Sequence, residues 1–247
     1  MKTLENLVEY YDELFVITDE QKAMYQQLCA AFKKPARLLR VCCGSGLFET
    51  LLSREGCDVT GIENSDEFLK IANLRHRSQL MALRFFQMDV ADMTHFLGKG
   101  FYNVVSILES RLLFLGGKAK IKRFFADSRE LLSDGGVLVV EMMNFTGRDK
   151  KFLLQLPVKE SLRAKLFAEV LTGEGGQKLF SANLETGNGK LLPVVKAIPV
   201  CPLLPKDVIG FAKEAGFQNE QLYSGWDKGE FKGDEESFVA VFGKQPT

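Results

Sequence analysis

The feature that most constrains the fold is a regular alternation of short apolar runs and amphipathic segments along the first 141 residues. The apolar runs have the length of strands and end in turn residues, whereas the amphipathic segments carry apolar residues at helical spacing. The predicted strands are 37–43, 58–63, 83–88, 102–108 and 137–141, and the predicted helices are one capped by Thr18, 47–54, one capped by Ser65, and 120–132. Repeated strand–helix units favour a parallel sheet with helices on both faces.

The pattern changes after Asn144. Residues 145–200 mix charged stretches with strand-like runs and are predicted to be a β-rich insertion. The elements predicted from there on are strands 178–183 and 191–198, helix 206–215, and closing strands 218–224 and 237–242. The whole chain, 1–247, is therefore predicted to be a single α/β domain of the Rossmann-like, doubly wound type. It should hold a mostly parallel seven-stranded sheet with an antiparallel C-terminal strand, and a small insertion.

Composition narrows the class of partner. The 247 residues include 32 Lys and Arg and 32 Asp and Glu, which gives a formal net charge of zero. A balanced chain has no overall attraction to nucleic acid or to anionic membrane. The five cysteines form no Cys-x-x-Cys pair, the first residues lack a signal sequence, and no apolar run approaches the ~18 residues that a membrane span needs. We therefore expect a cytoplasmic protein that binds neither nucleic acid nor membrane.

Three polar or glycine positions follow successive predicted strands. The first strand leads into Gly44-Ser45-Gly46, and glycines at such a turn let a ligand approach the backbone at a helix N-terminus. Glu63 ends the second strand, where an acid can accept hydrogen bonds from ribose hydroxyls. Asp89 follows the third strand and is either a ligand for an adenine amine or an ordinary helix cap. Together they predict a nucleoside-binding site.

Two common nucleotide cofactors fit this pattern poorly. A nicotinamide dinucleotide favours Gly-x-Gly-x-x-Gly, but the position three after Gly46 is Glu49, a bulky acid that would repel a pyrophosphate. No Gly-Lys-Ser/Thr follows the strand, so a P-loop is excluded.

The same segments resemble the motifs of the class I S-adenosylmethionine-dependent methyltransferases. The similar segments are 37–49, Gly61-Ile62-Glu63-Asn64-Ser65, Gln87-Met88-Asp89-Val90, 101–115 and Leu131-Leu132-Ser133-Asp134-Gly135-Gly136. The resemblance covers roughly residues 10–144, with a weaker similarity at 204–244. It implies S-adenosylmethionine as the cofactor.

The resemblance also implies a role for each motif residue. The amino acid end of the cofactor would lie on Gly44 and Gly46, with the backbone of Cys42. The remaining assignments are Glu63 for the ribose with Asn64 beside it, Asp89 and Val90 for the adenine, and Leu108 and Glu109 for the methyl-donating end. In similar small-molecule methyltransferases an N-terminal tyrosine lies over the cofactor. Tyr11 is the candidate here, through cation–π attraction to the sulfonium, with core packing as the alternative.

The chain departs from the family pattern at two positions. Arg40 stands where the family usually has an acid that orients the amino acid end of the cofactor, and a cation there would repel the ammonium group. Cys42 stands at the first glycine of the motif, where a small residue still fits.

The acceptor is predicted to be a small molecule with an amine or hydroxyl group. Ser106-Ile107-Leu108-Glu109 differs from the Asn/Asp-Pro-Pro-Tyr of enzymes that methylate bases or glutamine amides. The tail, 225–241, resembles that of small-molecule N-methyltransferases, and the insertion 145–200 would form a lid over the substrate site. No catalytic base is predicted. The alternatives are a non-catalytic relative that binds the cofactor or its product, and a protein methyltransferase.

Overall fold

The computed structural model describes residues 4–76, 82–148 and 152–245 of the chain. The chain forms two compact units. The larger unit consists of Ile17–Thr146 and Leu203–Thr247, and the smaller unit consists of Met1–Val16 and Gly147–Pro202. The larger unit contains the alternating strands and helices that the sequence predicts.

The helices and strands are named in chain order. The α-helices are α1 (Glu5–Val8), α2 (Tyr11–Leu14), α3 (Asp19–Ala30), α4 (Leu47–Arg54), α5 (Asp66–His76), α6 (Met93–Phe96), α7 (Lys118–Leu131) and α8 (Pro205–Glu214). The strands are β1 (Arg37–Val41), β2 (Asp58–Glu63), β3 (Leu83–Gln87), β4 (Tyr102–Ile107), β5 (Leu132–Met143), β6 (Leu153–Gln155), β7 (Lys159–Glu160), β8 (Ala164–Thr172), β9 (Lys178–Thr186), β10 (Leu191–Val200), β11 (Gln218–Tyr223) and β12 (Ser237–Gly243).

The larger unit is built on a seven-stranded sheet with the order β11-β12-β5-β4-β1-β2-β3. β1 pairs in parallel with both β2 and β4, so the strand order reverses direction at β1. β12 is antiparallel to both of its neighbours, β5 and β11. This confirms the predicted Rossmann-like, mostly parallel sheet with an antiparallel C-terminal strand. Ligands of such sheets bind at the carboxyl ends of the strands near the reversal point.

Local sequence signals explain where the helices of this unit begin. The backbone N–H of Gln21 donates to the hydroxyl of Thr18 at 3.2 Å, so Thr18 caps α3 as predicted. The Ser65 hydroxyl accepts in the same way from the N–H of Phe68 at the start of α5. In α4, Phe48 and Leu52 are buried against the sheet, which is the amphipathic pattern that the sequence shows.

Several predicted boundaries differ from the observed ones, and the differences at β1 and β5 have a local cause. β1 ends at Val41 rather than at residue 43, because Cys42 has a φ of 56° and leaves the extended conformation. β5 begins at Leu132, which was predicted to be the last residue of a helix and instead pairs with Tyr102. The glycines at 135 and 136 do not delay the strand, since the ladder continues through an irregularity to Val137.

The smaller unit is an antiparallel sheet with the order β10-β9-β8-β6, and β7 also pairs with β8. The sequence predicted β9 and β10 but not β6, β7 or β8. The N-terminal segment belongs to this unit: α1 packs on β10, and α2 packs on β7 and β8. Arg163 fixes the segment by ion pairs to Glu9 at 2.6 Å and Glu13 at 2.8 Å. Of the predicted insertion, residues 149–151 lie outside the described residues, and its role as a lid stays a prediction.

Among the described residues, no helix is both long enough and apolar enough to cross a lipid bilayer.

Candidate cofactor-binding site

The turn after β1 follows a left-handed path that leads into α4. Cys42, Gly44 and Gly46 have φ values of 56°, 62° and 80°. Glycine adopts this conformation without cost, whereas a residue with a Cβ pays roughly 1 to 2 kcal/mol. This explains why the family has a glycine at the position of Cys42, and it shows that the cysteine is accommodated there in the same backbone conformation.

Glu63 ends β2 directly beside this turn, and its side chain is buried. One carboxylate oxygen, Oε2, accepts a hydrogen bond from the N–H of Gly44 at 2.9 Å. The other, Oε1, accepts from the N–H groups of Asn64 and Ser65, both at 3.0 Å. Three backbone donors therefore fix the carboxylate and tie the end of β2 to the glycine turn.

A pocket of about 550 Å³ lies at the ends of β2 and β3. Asn64 and Asp89, two of the predicted site residues, line it together with Phe86, Gln87, Met88, Asp92, Phe96 and Leu97. The Asp89 carboxylate also accepts from the N–H of Ala91 at 2.8 Å, so it caps the short helical turn that follows. Val90 begins that turn but is not among the residues that line the pocket.

The apolar part of this lining was missed by the sequence analysis. Phe96 is 69% exposed and Phe86 is 42% exposed, although both are large and apolar. Flat apolar side chains beside a few polar groups suit a purine ring. Phe96 lies in the one-turn helix α6, which is too short to show a helical period, so periodicity does not predict its position.

Charged side chains meet between the ends of β1 and β4. The Arg40 Nε atom lies 3.3 Å from Oε1 of Glu49, in α4. The Arg40 terminal nitrogen NH2 lies 3.6 Å from Oε1 of Glu109, which follows β4. The other oxygen of Glu109 lies 3.7 Å from the guanidinium of Arg111. We call Arg40, Glu49, Glu109 and Arg111 the charge cluster. Its two cations and two carboxylates are formally balanced.

Burial sets the electrostatics of this region. Burial raises the pKa of Glu49 to about 7, although the Arg40 guanidinium opposes the shift. Burial, with a smaller effect of the Glu63 carboxylate, raises the pKa of the Cys42 thiol to about 12. Arg111 and Arg40 lower that pKa in part, which shows that both guanidiniums act at the glycine turn. Cys42 is therefore protonated and uncharged at neutral pH.

The chain leaves β4 in an uncommon backbone conformation. Glu109 and Ser110 have φ values of 56° and 58°, both in the left-handed region. Three hydrogen bonds to β5 hold them there. The N–H of Glu109 donates to the carboxylate of Glu141 at 2.8 Å, and the N–H of Ser110 donates to the carbonyl of Glu141 at 3.2 Å. The N–H of Met143 donates to the hydroxyl of Ser110 at 2.8 Å. Leu108, just before, has its side chain in the hydrophobic core.

Tyr11 lies in the smaller unit, where it is buried and stacks on Phe15 with ring centroids 4.5 Å apart. This packing is the alternative role that the sequence analysis considered for Tyr11. Its contact with the cofactor stays a prediction, which a Tyr11→Ala variant with unchanged cofactor affinity would contradict.

The larger unit thus combines a doubly wound sheet, a glycine turn after β1 and a fixed acid at the end of β2. These features define the Rossmann-like fold of the class I methyltransferases. Comparison with known proteins agrees: residues 38–136 match the family model described as a methyltransferase domain. The match covers the glycine turn, Glu63 and Asp89, and it supports a class I S-adenosylmethionine-dependent methyltransferase with S-adenosylmethionine as its cofactor.

A relative supports this assignment, and two solved structures share the fold. A protein of Geobacillus sp. (strain WCH70), named as a methyltransferase, is 28% identical over 144 residues, which make up 57% of this chain and 57% of that protein. The CcbJ methyltransferase from Streptomyces caelestis has the same fold, with a TM-score of 0.79 over 100% of both chains at 19% identity. CalS10 from Micromonospora echinaspora, an amino pentose methyltransferase solved with S-adenosylmethionine, has a TM-score of 0.68 at 21% identity, over 95% of this chain and 96% of its own.

Proposed function

We propose that this protein transfers the methyl group of S-adenosylmethionine to an amine or hydroxyl group of a small-molecule acceptor. The observation that carries the proposal is the Glu63 carboxylate, which three backbone N–H groups hold beside the glycine turn. A fixed carboxylate at the end of the second strand suits a pair of ribose hydroxyls. The fold likeness to CalS10, named an amino pentose methyltransferase, supports a small acceptor that carries an amine.

The residues of the site fit each part of the cofactor. The turn at Gly44 and Gly46 would receive the amino acid end with the backbone of Cys42, and Glu63 would accept from the ribose. Asn64 would lie beside the ribose, and Asp89 would contact the adenine in the pocket at the ends of β2 and β3, where Phe96 offers an apolar surface. Val90, Leu108 and Glu109 would complete the site, as the family resemblance implies.

The chemistry asks the chain mainly to position two reactants. Bound S-adenosylmethionine supplies a methyl group on a positively charged sulfur, which is already a good leaving group. Holding the acceptor in line with that bond supplies much of the rate enhancement. A proton must be removed only when the acceptor atom carries one in its reactive form. We therefore assign binding and orientation to the site residues, and no residue is assigned as a base.

The first test is calorimetric titration of the purified protein with S-adenosylmethionine, S-adenosylhomocysteine and NAD. We expect micromolar binding of the first two, no binding of NAD, and loss of binding in Glu63→Ala. Glu55→Ala is the matched control, because Glu55 is exposed at the end of α4. Circular dichroism shows whether Glu63→Ala is folded, since the substitution leaves three backbone N–H groups without their acceptor. Failure of both cofactor forms to bind would overturn the proposal.

The second test identifies the acceptor. A panel of small amines, amino sugars and hydroxylated metabolites is incubated with cofactor that carries an isotopically labelled methyl group, and labelled products are found by mass spectrometry. Transfer to a small molecule supports the proposal. Tight cofactor binding without transfer to any panel member favours a non-catalytic binding protein, and transfer only to added proteins favours a protein methyltransferase.

A further inference from the structure

The charge cluster places a cation, Arg40, next to the turn that would receive the amino acid end of the cofactor. That end carries an ammonium group, which an uncompensated guanidinium would repel. In this chain Arg40 faces two carboxylates, Glu49 at 3.3 Å and Glu109 at 3.6 Å. Its charge is therefore offset within the site.

The two carboxylates differ in their access to a ligand. The side chain of Glu49 is 2% exposed, so it meets Arg40 inside the protein and cannot reach a bound molecule. The side chain of Glu109 is 23% exposed. Its carboxylate oxygens lie 3.6 Å from the guanidinium of Arg40 and 3.7 Å from that of Arg111. Glu109 is thus the carboxylate of the cluster that a ligand can contact.

The position of Glu109 is fixed by its surroundings. Its N–H donates to the Glu141 carboxylate, and Ser110 is held by β5 through two further hydrogen bonds. Two adjacent residues in the left-handed conformation cost of order 1 to 3 kcal/mol each, and such strain is commonly found at ligand sites. Arg111, which ends the cluster, lies over the ring of Phe68, with 5.7 Å from its Cζ to the ring centroid.

We propose that Glu109 binds the ammonium group of the cofactor's amino acid end, and that Glu49 neutralises Arg40 so that this group can approach. This inference rests on the proposed function. The pairing of Glu109 with Arg111 fits a ligand group that carries an ammonium and a carboxylate on the same carbon. In this chain the acid comes from the end of β4, whereas the family usually supplies it from β1, where Arg40 stands.

The experiment compares three adenosine compounds by calorimetry. S-Adenosylhomocysteine has the ammonium group as its single cation, since its sulfur is uncharged. Its deaminated analogue keeps the carboxylate and lacks the ammonium, and 5′-methylthioadenosine lacks the whole amino acid end. A charge-assisted hydrogen bond that is lost typically weakens binding by about tenfold or more. We expect Glu109→Gln to weaken the binding of S-adenosylhomocysteine to that extent. The affinities for the deaminated analogue and for methylthioadenosine should stay nearly unchanged.

Two further variants complete the design. At pH 8, above the pKa of Glu49, Glu49→Gln should also weaken the binding of S-adenosylhomocysteine selectively, because it leaves the charge of Arg40 less compensated. Glu130→Gln is the matched control. Glu130 lies on α7, outside the site, where it pairs with Lys99, so this substitution should change none of the three affinities. If Glu109→Gln does not fold, the unsubstituted protein still tests the inference. A site that recognises the ammonium group binds S-adenosylhomocysteine more tightly than the deaminated analogue.

Four outcomes would overturn the inference. Equal losses for S-adenosylhomocysteine and its deaminated analogue in Glu109→Gln would show a structural effect only. Equal affinity of the unsubstituted protein for these two compounds would show that no group recognises the ammonium. Binding of none of the three compounds would overturn the proposed function and the inference with it, whereas retained binding of methylthioadenosine alone would overturn only the inference.

Discussion

At the scale of single residues, the pair formed by Arg40 and Glu49 is the most consequential feature. Their side chains are 4% and 2% exposed, so each charge depends on the other for compensation. In the sequence, Glu49 is a bulky acid that argues against a bound pyrophosphate. In the structure it is buried in α4, where Arg40 on β1 provides the opposite charge. A buried pair of this kind adds little net stability, but removing one partner is costly.

The first prediction concerns this pair. Arg40→Leu should lower the free energy of unfolding by about 3 to 5 kcal/mol above the pKa of Glu49, because a buried carboxylate loses its partner. The double variant Arg40→Leu/Glu49→Leu should recover most of the loss, since no buried charge remains. Urea unfolding measures both. Lys99→Leu, at an exposed ion pair, is the control and should change stability by less than about 1 kcal/mol. Additive losses in the double variant would contradict the prediction.

The second prediction follows from the titration of Glu49. Its pKa is raised by burial from an ordinary value of 4.5 to about 7. Between these values the folded protein holds a proton that the unfolded chain has released. The contribution of Glu49 therefore makes stability fall as the pH rises through this window, by at most about 1.4 kcal/mol per pH unit, and then level off.

The measurement is the free energy of unfolding of the parent and of Glu49→Gln across this pH window. The difference between the two proteins isolates Glu49 from the other titrating groups. The parent should lose stability relative to the variant as the pH rises toward 7. A constant difference across the window would show that Glu49 titrates at its ordinary pKa.

At the scale of elements, the packing of β1, β2 and α4 depends on two glycines, Gly46 and Gly61, which both face the ring of Phe85. A Cβ at Gly46 would lie 2.6 Å from Cζ of Phe85, and a Cβ at Gly61 would lie 2.7 Å from Cδ1 of the same ring. Phe85 stands on β3 and is buried. Its ring fills the space that both glycines leave, which lets α4 and β2 pack closely beside the turn.

The third prediction separates backbone strain from steric conflict at these glycines. Gly56→Ala should cost only the left-handed strain, roughly 1 to 2 kcal/mol, because no atom lies within 4 Å of its Cβ position. Gly61→Ala should cost only overpacking, about 1 to 3 kcal/mol, since its φ is not positive. Gly46→Ala carries both and should be the most destabilising. Chemical unfolding of the three variants gives the order, and equal losses at 46 and 56 would mean that the Phe85 ring yields.

At the scale of the whole molecule, the chain divides its residues between two units with different kinds of sheet. The larger unit follows the parallel, helix-covered plan, and the smaller unit is antiparallel. The sequence predicted the larger unit well because most of its strands are rich in apolar residues and are separated by amphipathic helices. In the smaller unit, β6 and β7 have three and two residues, and charged residues such as Lys165 and Glu169 interrupt the apolar pattern of β8. Such strands give a weak periodic signal.

The fourth prediction tests ligand binding through the stability of the folded chain. S-Adenosylhomocysteine at about a hundredfold above its dissociation constant should add about 2.7 kcal/mol to the stability of the folded state. For a chain of this size this raises the unfolding midpoint by roughly 5 to 10 °C. Differential scanning calorimetry measures the shift. Glu63→Ala should show none at the same ligand concentration, and an equal shift in that variant would place the ligand elsewhere.

The sequence by itself determined most of the strands and helices of the larger unit, the glycine turn, and the positions of Glu63 and Asp89 at strand ends. These features depend on local periodicity and turn chemistry, which a short window of sequence contains. The tertiary structure alone decided what surrounds Arg40, because Glu109 follows a strand distant in sequence and reaches Arg40 only when β1 and β4 pair. It also decided that the N-terminal segment joins the insertion, since that contact depends on apolar faces and ion pairs between segments far apart in the chain.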